Sequence, residues 1–435
     1  MKIENNKLKK KRFDLLILIP TILISVIGII TLLSTTIGSD GTFQDLSIVN
    51  KQIIYLIIGF ILFFFVSRID ISITRYWQVA LSIYVITVLL LVAVLIFGPE
   101  INNVRRWLVI GGVQIQPSEI AKITVILTTA SVLSYKDKYN EWLLFGISFL
   151  LALPLVILIY VEPGGSMSLL TLVIWFLVAF TGLSNQLRNT IALIIMTLIT
   201  GTFLLISVTG SWLFALLLIP TAIISILSYY YRDSWRMFII VSVIIGIIVG
   251  SFSTLVYEGI FQDYQKDRIE AFINPTENSE DIGFNVNQAR IAIGSGQIFG
   301  KGFGNGTQSK RDFLPEHQTD FIFASYAEEF GLVGSLFLLV LYSIIIVKGL
   351  IASVDNVNNS FFAMILIGII MKLLLEIFIN IGTNTGTIPA TGIPLPLVSA
   401  GGTITVMTLF SLGIIQSIMN RAKKSTNSNN IIDNY

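Results

Sequence analysis

An all-α polytopic membrane bundle is the fold class that the sequence predicts, and three features predict it. Hydrophobic residues fill 54% and charged residues 12% of the 435 positions, too little polar surface to coat a water-soluble globule of this size. Apolar runs long enough to cross a bilayer recur along the chain. Lys and Arg gather in alternate connections between those runs, as expected when each run is a true span.

The runs fall at about 13–36, 52–67, 76–98, 118–135, 142–161, 167–183, 190–208, 212–230, 237–257, 332–353, 361–382 and 402–420, twelve in all. A basic tail (residues 1–12, with Lys2, Lys7, Lys9, Lys10, Lys11 and Arg12) precedes a single integral membrane domain (13–420), and a tail at 421–435 opens with Arg421, Lys423 and Lys424. Both ends therefore read as cytoplasmic. The first run is a full span long without a small-residue cleavage site, so it reads as a retained span. Arg68 and Arg75, Lys136 and Lys138, Arg188, and Arg232 and Arg236 all lie on the side of the N-terminus; the intervening loops carry Asp40 and Asp45, Glu162, and the uncharged Gly210-Ser211. Two connections break the alternation by placing cations outside: Arg105-Arg106, and the large loop of about 258–331. An anionic partner outside is a natural reason for the first; a long loop also escapes the rule. Zero Cys and one His exclude thiolate chemistry, disulfides and a His-rich metal centre.

The large loop opens with a helical pattern of Ile260, Phe261, Tyr264, Ile269, Phe272 and Ile273, read as an amphipathic helix at the interface. Glycines at 294, 296, 300, 302, 304 and 306 follow. They provide either a flexible loop or close backbone approach to a ligand, and their spacing is no nucleotide fingerprint. The polar island from Asn305 to Glu329 then ends in Asp320, directly before Phe321-Ile322-Phe323. Asp320 reads equally as the N-cap of a re-entrant helix and as a general base at the membrane surface. His317 reads as a hydrogen-bonding loop residue before a catalyst.

Arg105, Arg106 and Trp107 suit either an interfacial anchor or a site in which Arg106 holds a phosphate or carboxylate beside Trp107. Pro117 opens the next span, with Glu119 and Lys122 three apart on one face. Lys372 and Glu376 form a second intramembrane pair, read as structural. From Asn380 to Thr403, three Pro and five Gly interrupt the helix, so this stretch is expected to be protein-buried or to wall a polar cavity.

In this order, Arg106-Trp107, Gln116-Pro-Ser-Glu-Ile-Ala-Lys122, Gln288 with Ile291-Ala-Ile-Gly-Ser-Gly296, Gly300-Lys-Gly302, Gly306-Thr-Gln-Ser309, Phe313-Leu-Pro-Glu316, Thr319-Asp-Phe-Ile-Phe323, Glu328-Glu329, Gly392-Ile-Pro-Leu-Pro-Leu-Val-Ser399 and Gly401-Gly402 resemble the SEDS family of bacterial cell-wall polymerases (RodA, FtsW, SpoVE), most closely its elongation branch, RodA. The resemblance implies a SEDS-type helical bundle acting as a peptidoglycan glycosyltransferase. It would polymerise lipid II, a disaccharide-pentapeptide on undecaprenyl pyrophosphate, at the outer face of the cytoplasmic membrane. It implies Asp320 as the catalytic general base, with Arg106, Trp107, Glu119, Lys122, Arg268, Lys301, Gln308, Glu316, Thr319 and Ser399 on the substrate. Arg105 and Lys310 join the cations available to a leaving pyrophosphate. No cofactor is required, although a divalent cation (Mg or Mn) could bridge the pyrophosphate. The implied partners are lipid II, a class B penicillin-binding protein, proteins of the elongation or division complex and the lipid bilayer, with no nucleic acid.

The chain departs from the family pattern at four places. Glu162-Pro-Gly-Gly-Ser166 stands where Pro-Asp-Leu-Gly-Thr is usual, so Gly164 replaces the Asp. Gln318 separates His317 from Thr319-Asp320, Ser399-Ala400 replaces Ser-Tyr, and twelve spans replace ten, with the extra pair at about 190–257. A lipid II flippase is the alternative, for which paired discontinuous helices in two related halves are expected. A non-catalytic scaffold is a third reading.

Overall fold

The computed structural model describes residues 13–38, 42–43, 45–101, 104–259, 272, 282–308, 316–357 and 359–432. The expected amphipathic helix at 257–273, Arg268 and Lys310 lie largely or wholly outside them. The described residues form thirteen α-helices: α1 (Leu15–Thr35), α2 (Ser47–Val66), α3 (Trp77–Phe97), α4 (Pro117–Leu133), α5 (Glu141–Val161), α6 (Gly165–Gly182), α7 (Gln186–Thr209), α8 (Leu218–Tyr231), α9 (Arg236–Gly259), α10 (Ile282–Ser295), α11 (Ile322–Asp355), α12 (Ser360–Thr385) and α13 (Gly402–Ile432).

Each expected span coincides with a helix. Eleven helical segments are long and apolar enough to cross a membrane. The twelfth expectation, at 118–135, is met by α4, which has 17 residues and carries Glu119 and Lys122. Nearly all of α4 is buried, so protein rather than lipid surrounds its charges. Helices α2, α3 and α5 show the opposite pattern. Phe63, Leu91 and Leu155 are fully buried, whereas Phe65, Leu89 and Leu150 are more than 60% exposed, an apolar exterior that only a bilayer satisfies.

The chain forms two compact units, Leu183–Gly283 and the remainder. In the smaller unit, α7 and α9 pack along each other through Ile195, Ile199 and Ile239, with Trp235 just before α9 joining the cluster. In the larger, close approach is made possible by small residues. A Cβ at Gly28 of α1 would stand 2.6 Å from the carbonyl oxygen of Leu397, and one at Gly413 of α13 would stand 2.9 Å from that of Phe63.

Three features were not anticipated. A two-stranded hairpin, β1 (Leu108–Ile110) and β2 (Val113–Ile115), turns at Gly111-Gly112, both at positive φ, the geometry of a type I′ turn. Helix α10 sets Ala289 and Ala292 against Phe321 and Ala324. Helix α11 starts at Ile322, where a re-entrant helix was expected, but it runs on into the span at 332–353, broken at Gly331 with φ 64° and ψ −162°.

That break explains the glycine loop. The Leu332 and Val333 amides donate to the carbonyls of Gln297 and Ile298, while the Lys301 and Gly302 amides donate to those of Glu328 and Glu329. A Cβ at Gly296, Gly300 or Gly331 would collide with the backbone it faces. These glycines are therefore neither loose nor lining a ligand; they let residues 296–302 lie as a strap across the interrupted helix. Gly331→Ala is expected to cost at least about 2 kcal/mol through strain and collision. Gly201→Ala, in open space on α7, should cost nothing and gain up to about 1 kcal/mol. Thermal melting of the two detergent-purified variants checks the contrast.

Candidate active site

Asp320 lies one residue before the start of α11's N-cap-to-helix transition, at Phe321, a side chain that accepts nothing. Asp320 thus sits just outside the helix, and a side-chain contact to its first turn arrives from another helix. Asn384 Oδ1, on the last turn of α12, accepts the Ala324 amide at 3.0 Å. The Asp320 carbonyl accepts from Asn380 Nδ2 and Asn384 Nδ2, both at 2.9 Å. Asn380 and Asn384 are fully buried. The stretch expected to leave the helix at Asn380 in fact remains helical through Thr385 and turns at Gly386.

The remainder of this stretch walls Asp320. Ser399 Oγ donates to the Thr319 carbonyl at 2.6 Å and accepts the Leu395 amide, and the Ala400 amide donates to the Gln318 carbonyl. A Cβ on Gly392, at φ 72°, would stand 3.5 Å from Asp320 Oδ2. Thr319 Oγ1 donates to Glu316 Oε2 at 2.7 Å. Glu316 and Leu397 both hold positive φ, the kind of local strain that a surrounding structure must enforce. Gln52 of α2 fastens the wall by donating to the Ser399 carbonyl and Thr405 Oγ1. Thr403 joins it to the hairpin, accepting the Gln116 amide and donating to the Gln114 carbonyl.

Two further clusters hold other residues expected on the substrate. Glu328 Oε1 accepts from Lys301 Nζ at 2.6 Å, from Thr307 Oγ1 and from the Thr307 amide, and Oε2 accepts the Gln308 amide. Beside it, Ser34 donates to Glu329, and the Gly304 amide donates to Ser34. Lys301 therefore fastens the strap, and the Thr307 and Gln308 amides fasten the turn that follows it. In the second cluster, Lys122 Nζ lies 2.7 Å from Glu119 and 2.5 Å from Glu376, which also meets Lys372 at 2.8 Å. Two expected pairs thus become one quartet of zero net formal charge, enclosed in the bundle. Burial is sustainable here because each charge meets an opposite one.

Arg106 closes the end of α5, donating Nε to the Glu162 carbonyl at 3.2 Å and Nη2 to the Pro163 carbonyl. Arg105 pairs with Glu100 at an exposed position, at 3.6 Å. Trp107, half-buried, leads into β1. Glu162 is 1% exposed, and its Oε1 meets no donor. Burial pushes its carboxyl up to about 8, against the opposing pull of Arg106. The protonated form therefore leaves Arg106 with its full charge.

The sequence matches the FtsW/RodA/SpoVE family model, described as cell cycle protein, over residues 14–237 and 215–424. The chain belongs to this family. The overlap of the two matches falls in the smaller unit, where extra spans were expected. The peptidoglycan glycosyltransferase MrdB of Escherichia coli K12 is 31% identical over 98% of this chain and 99% of its own length. Stage V sporulation protein E of Bacillus subtilis is 30% identical over 94% and 98%. Among solved structures, a peptidoglycan synthase complex that coordinates polymerization and crosslinking superposes with a TM-score of 0.66 at 22% identity, over 94% of this chain and 98% of that one. The rod shape determining protein RodA of Thermus thermophilus follows at 0.57 and 23%, over 94% and 97%. These likenesses establish the shared fold.

Sequence reasoning placed the stretch from Asn380 to Thr403 at a polar wall without singling out Asn380 or Asn384, and it missed Gln52. Two Asn four apart at the end of an apolar run were the available signal, since buried amides require partners.

Glu162 makes stability pH-dependent. Its folded value lies above the ordinary 4.5, so the native chain keeps a proton that the unfolded chain releases, and stability falls as pH rises from about 4.5 to about 8. Glu162→Gln should therefore melt above wild type at about pH 8.5, by about 2–4 kcal/mol. Melting curves across pH should show the gap closing towards about pH 5.

Proposed function

We propose that this chain is a peptidoglycan glycosyltransferase that extends glycan strands during cell elongation and shape maintenance. Lipid II serves as donor, a disaccharide-pentapeptide joined through pyrophosphate to a polyprenyl chain. The observation that carries this reading is the whole-length, 31% identical match to a relative named for that activity. The site supports it in that Asn380 and Asn384 hold the Asp320 carbonyl and Gly392 lies beside its carboxylate.

In the proposed reaction Asp320 acts as general base. Its carboxylate takes the proton of an acceptor sugar hydroxyl while that oxygen forms a bond to the donor anomeric carbon. The bond from that carbon to the pyrophosphate oxygen breaks, and the pyrophosphate leaves with the electron pair. Attack opposite the leaving group turns an α-linked donor into a β-glycoside. The leaving group needs positive charge. Lys122 and Lys301 are engaged by carboxylates, and Arg106, at the end of α5, is the cation proposed to supply it. Trp107 stacks on the sugar or lines the lipid path, and Glu316, Thr319 and Ser399 shape the acceptor side.

Among the described residues no three His, Cys, Asp or Glu side chains gather to hold a metal. A magnesium or manganese ion accompanying the diphosphate would draw its other ligands from the substrate and water. The site faces outward from the cytoplasmic membrane, with both termini inside. A class B penicillin-binding protein is the partner that crosslinks the strands.

Purified protein reconstituted with labelled lipid II, with and without that partner, should make glycan chains, while Asp320→Asn should lose at least about 100-fold in rate. Failure of folded wild type to polymerise with the partner present would refute the activity. Undiminished polymerisation by Asp320→Asn would refute the base and leave the family standing.

A further inference from the structure

The buried amides at the end of α12 reach three parts of the site together. Asn384 Nδ2 donates to the Asp320 carbonyl, while its Oδ1 accepts the Ala324 amide in the first turn of α11. Asn380 Nδ2 donates to the same Asp320 carbonyl and to the Ile393 carbonyl, also at 2.9 Å. Ile393 follows Gly392, the residue that approaches Asp320 Oδ2. The two amides are themselves joined, since Asn384 Nδ2 donates to the Asn380 carbonyl at 2.8 Å.

We infer that Asn380 and Asn384 are positioning residues for catalysis, fixing the Asp320 peptide between the first turn of α11 and the Gly392 wall. This rests on the reading of Asp320 as the base. Both oxygen lone pairs of the Asp320 carbonyl are engaged, and neither Asn has any exposed surface, so the peptide bearing the base has little freedom to rotate. A neutral amide suits this position because it gives donors to a carbonyl and an acceptor to a helix amide without adding a charge beside the carboxylate. Misplacement of a reacting group by about 1 Å costs on the order of 100-fold in rate, so losing these donors should act on turnover.

Asn380→Ser separates positioning from folding. It removes an amide donor to the Asp320 carbonyl, leaves the Asn384 contact to the Ala324 amide in place and adds no charge. With reconstituted full-length protein and lipid II, Asn380→Ser should melt within a few degrees of wild type. Its kcat per folded molecule should fall by about 100-fold with KM within about threefold, the folded fraction being measured on the same sample. Asn384→Ser, which removes the second donor without adding a charge, should show the same split. If the two variants both keep kcat within about twofold, or if their losses vanish when rates are normalised to folded protein, the positioning role is overturned. A fully active Asp320→Asn would instead overturn the underlying reading, so the two failures are distinguishable.

Discussion

A hydrocarbon interior offers no hydrogen bonds, so every place where a helix stops or breaks inside this bundle must be repaired by protein. Much of the site consists of such repairs. The break at Gly331 is bridged by the strap at 296–302. The uncapped start of α11 is served by Asn384, and carbonyls at the end of α5 are met by Arg106. The functional end of the molecule is thus the place where helical order is interrupted and the interruptions are mutually satisfied.

Charge obeys the same constraint. Glu119, Lys122, Glu376 and Lys372 join α4 to α12 as one neutral group, and removing one partner would strand an ion where solvent cannot reach it. Glu328 binds the strap through several donors. Glu162 meets the constraint differently, by holding a proton. The missing Asp at Gly164 does not leave this corner without an acid, because Glu162 sits against Arg106.

The spans were legible because a bilayer imposes length and apolarity one segment at a time, and all twelve runs became helices. The pairs Glu119–Lys122 and Lys372–Glu376 were legible because i,i+3 and i,i+4 spacing is local. Their union through Lys122 and Glu376, 254 positions apart, was not. Glycine 296, 300 and 302 announced a tight backbone, but composition does not distinguish a ligand from a neighbouring helix as the thing approached. Asp320 was recognisable by its neighbours in sequence. Its restraint was hidden because both amides come from about sixty residues away.

The strap also bears on biogenesis. Residues Ile322–Glu329 are buried, whereas Leu332 and Val333 beyond the break are more than half exposed. An insertion apparatus that partitions segments by their affinity for lipid therefore acts on the part beyond Gly331, and the part before it has no lipid face to drive entry. That buried segment is held in place by packing against its neighbours. A correctly threaded chain is consequently not yet a finished enzyme, and topology mapping alone would not distinguish the immature from the mature form.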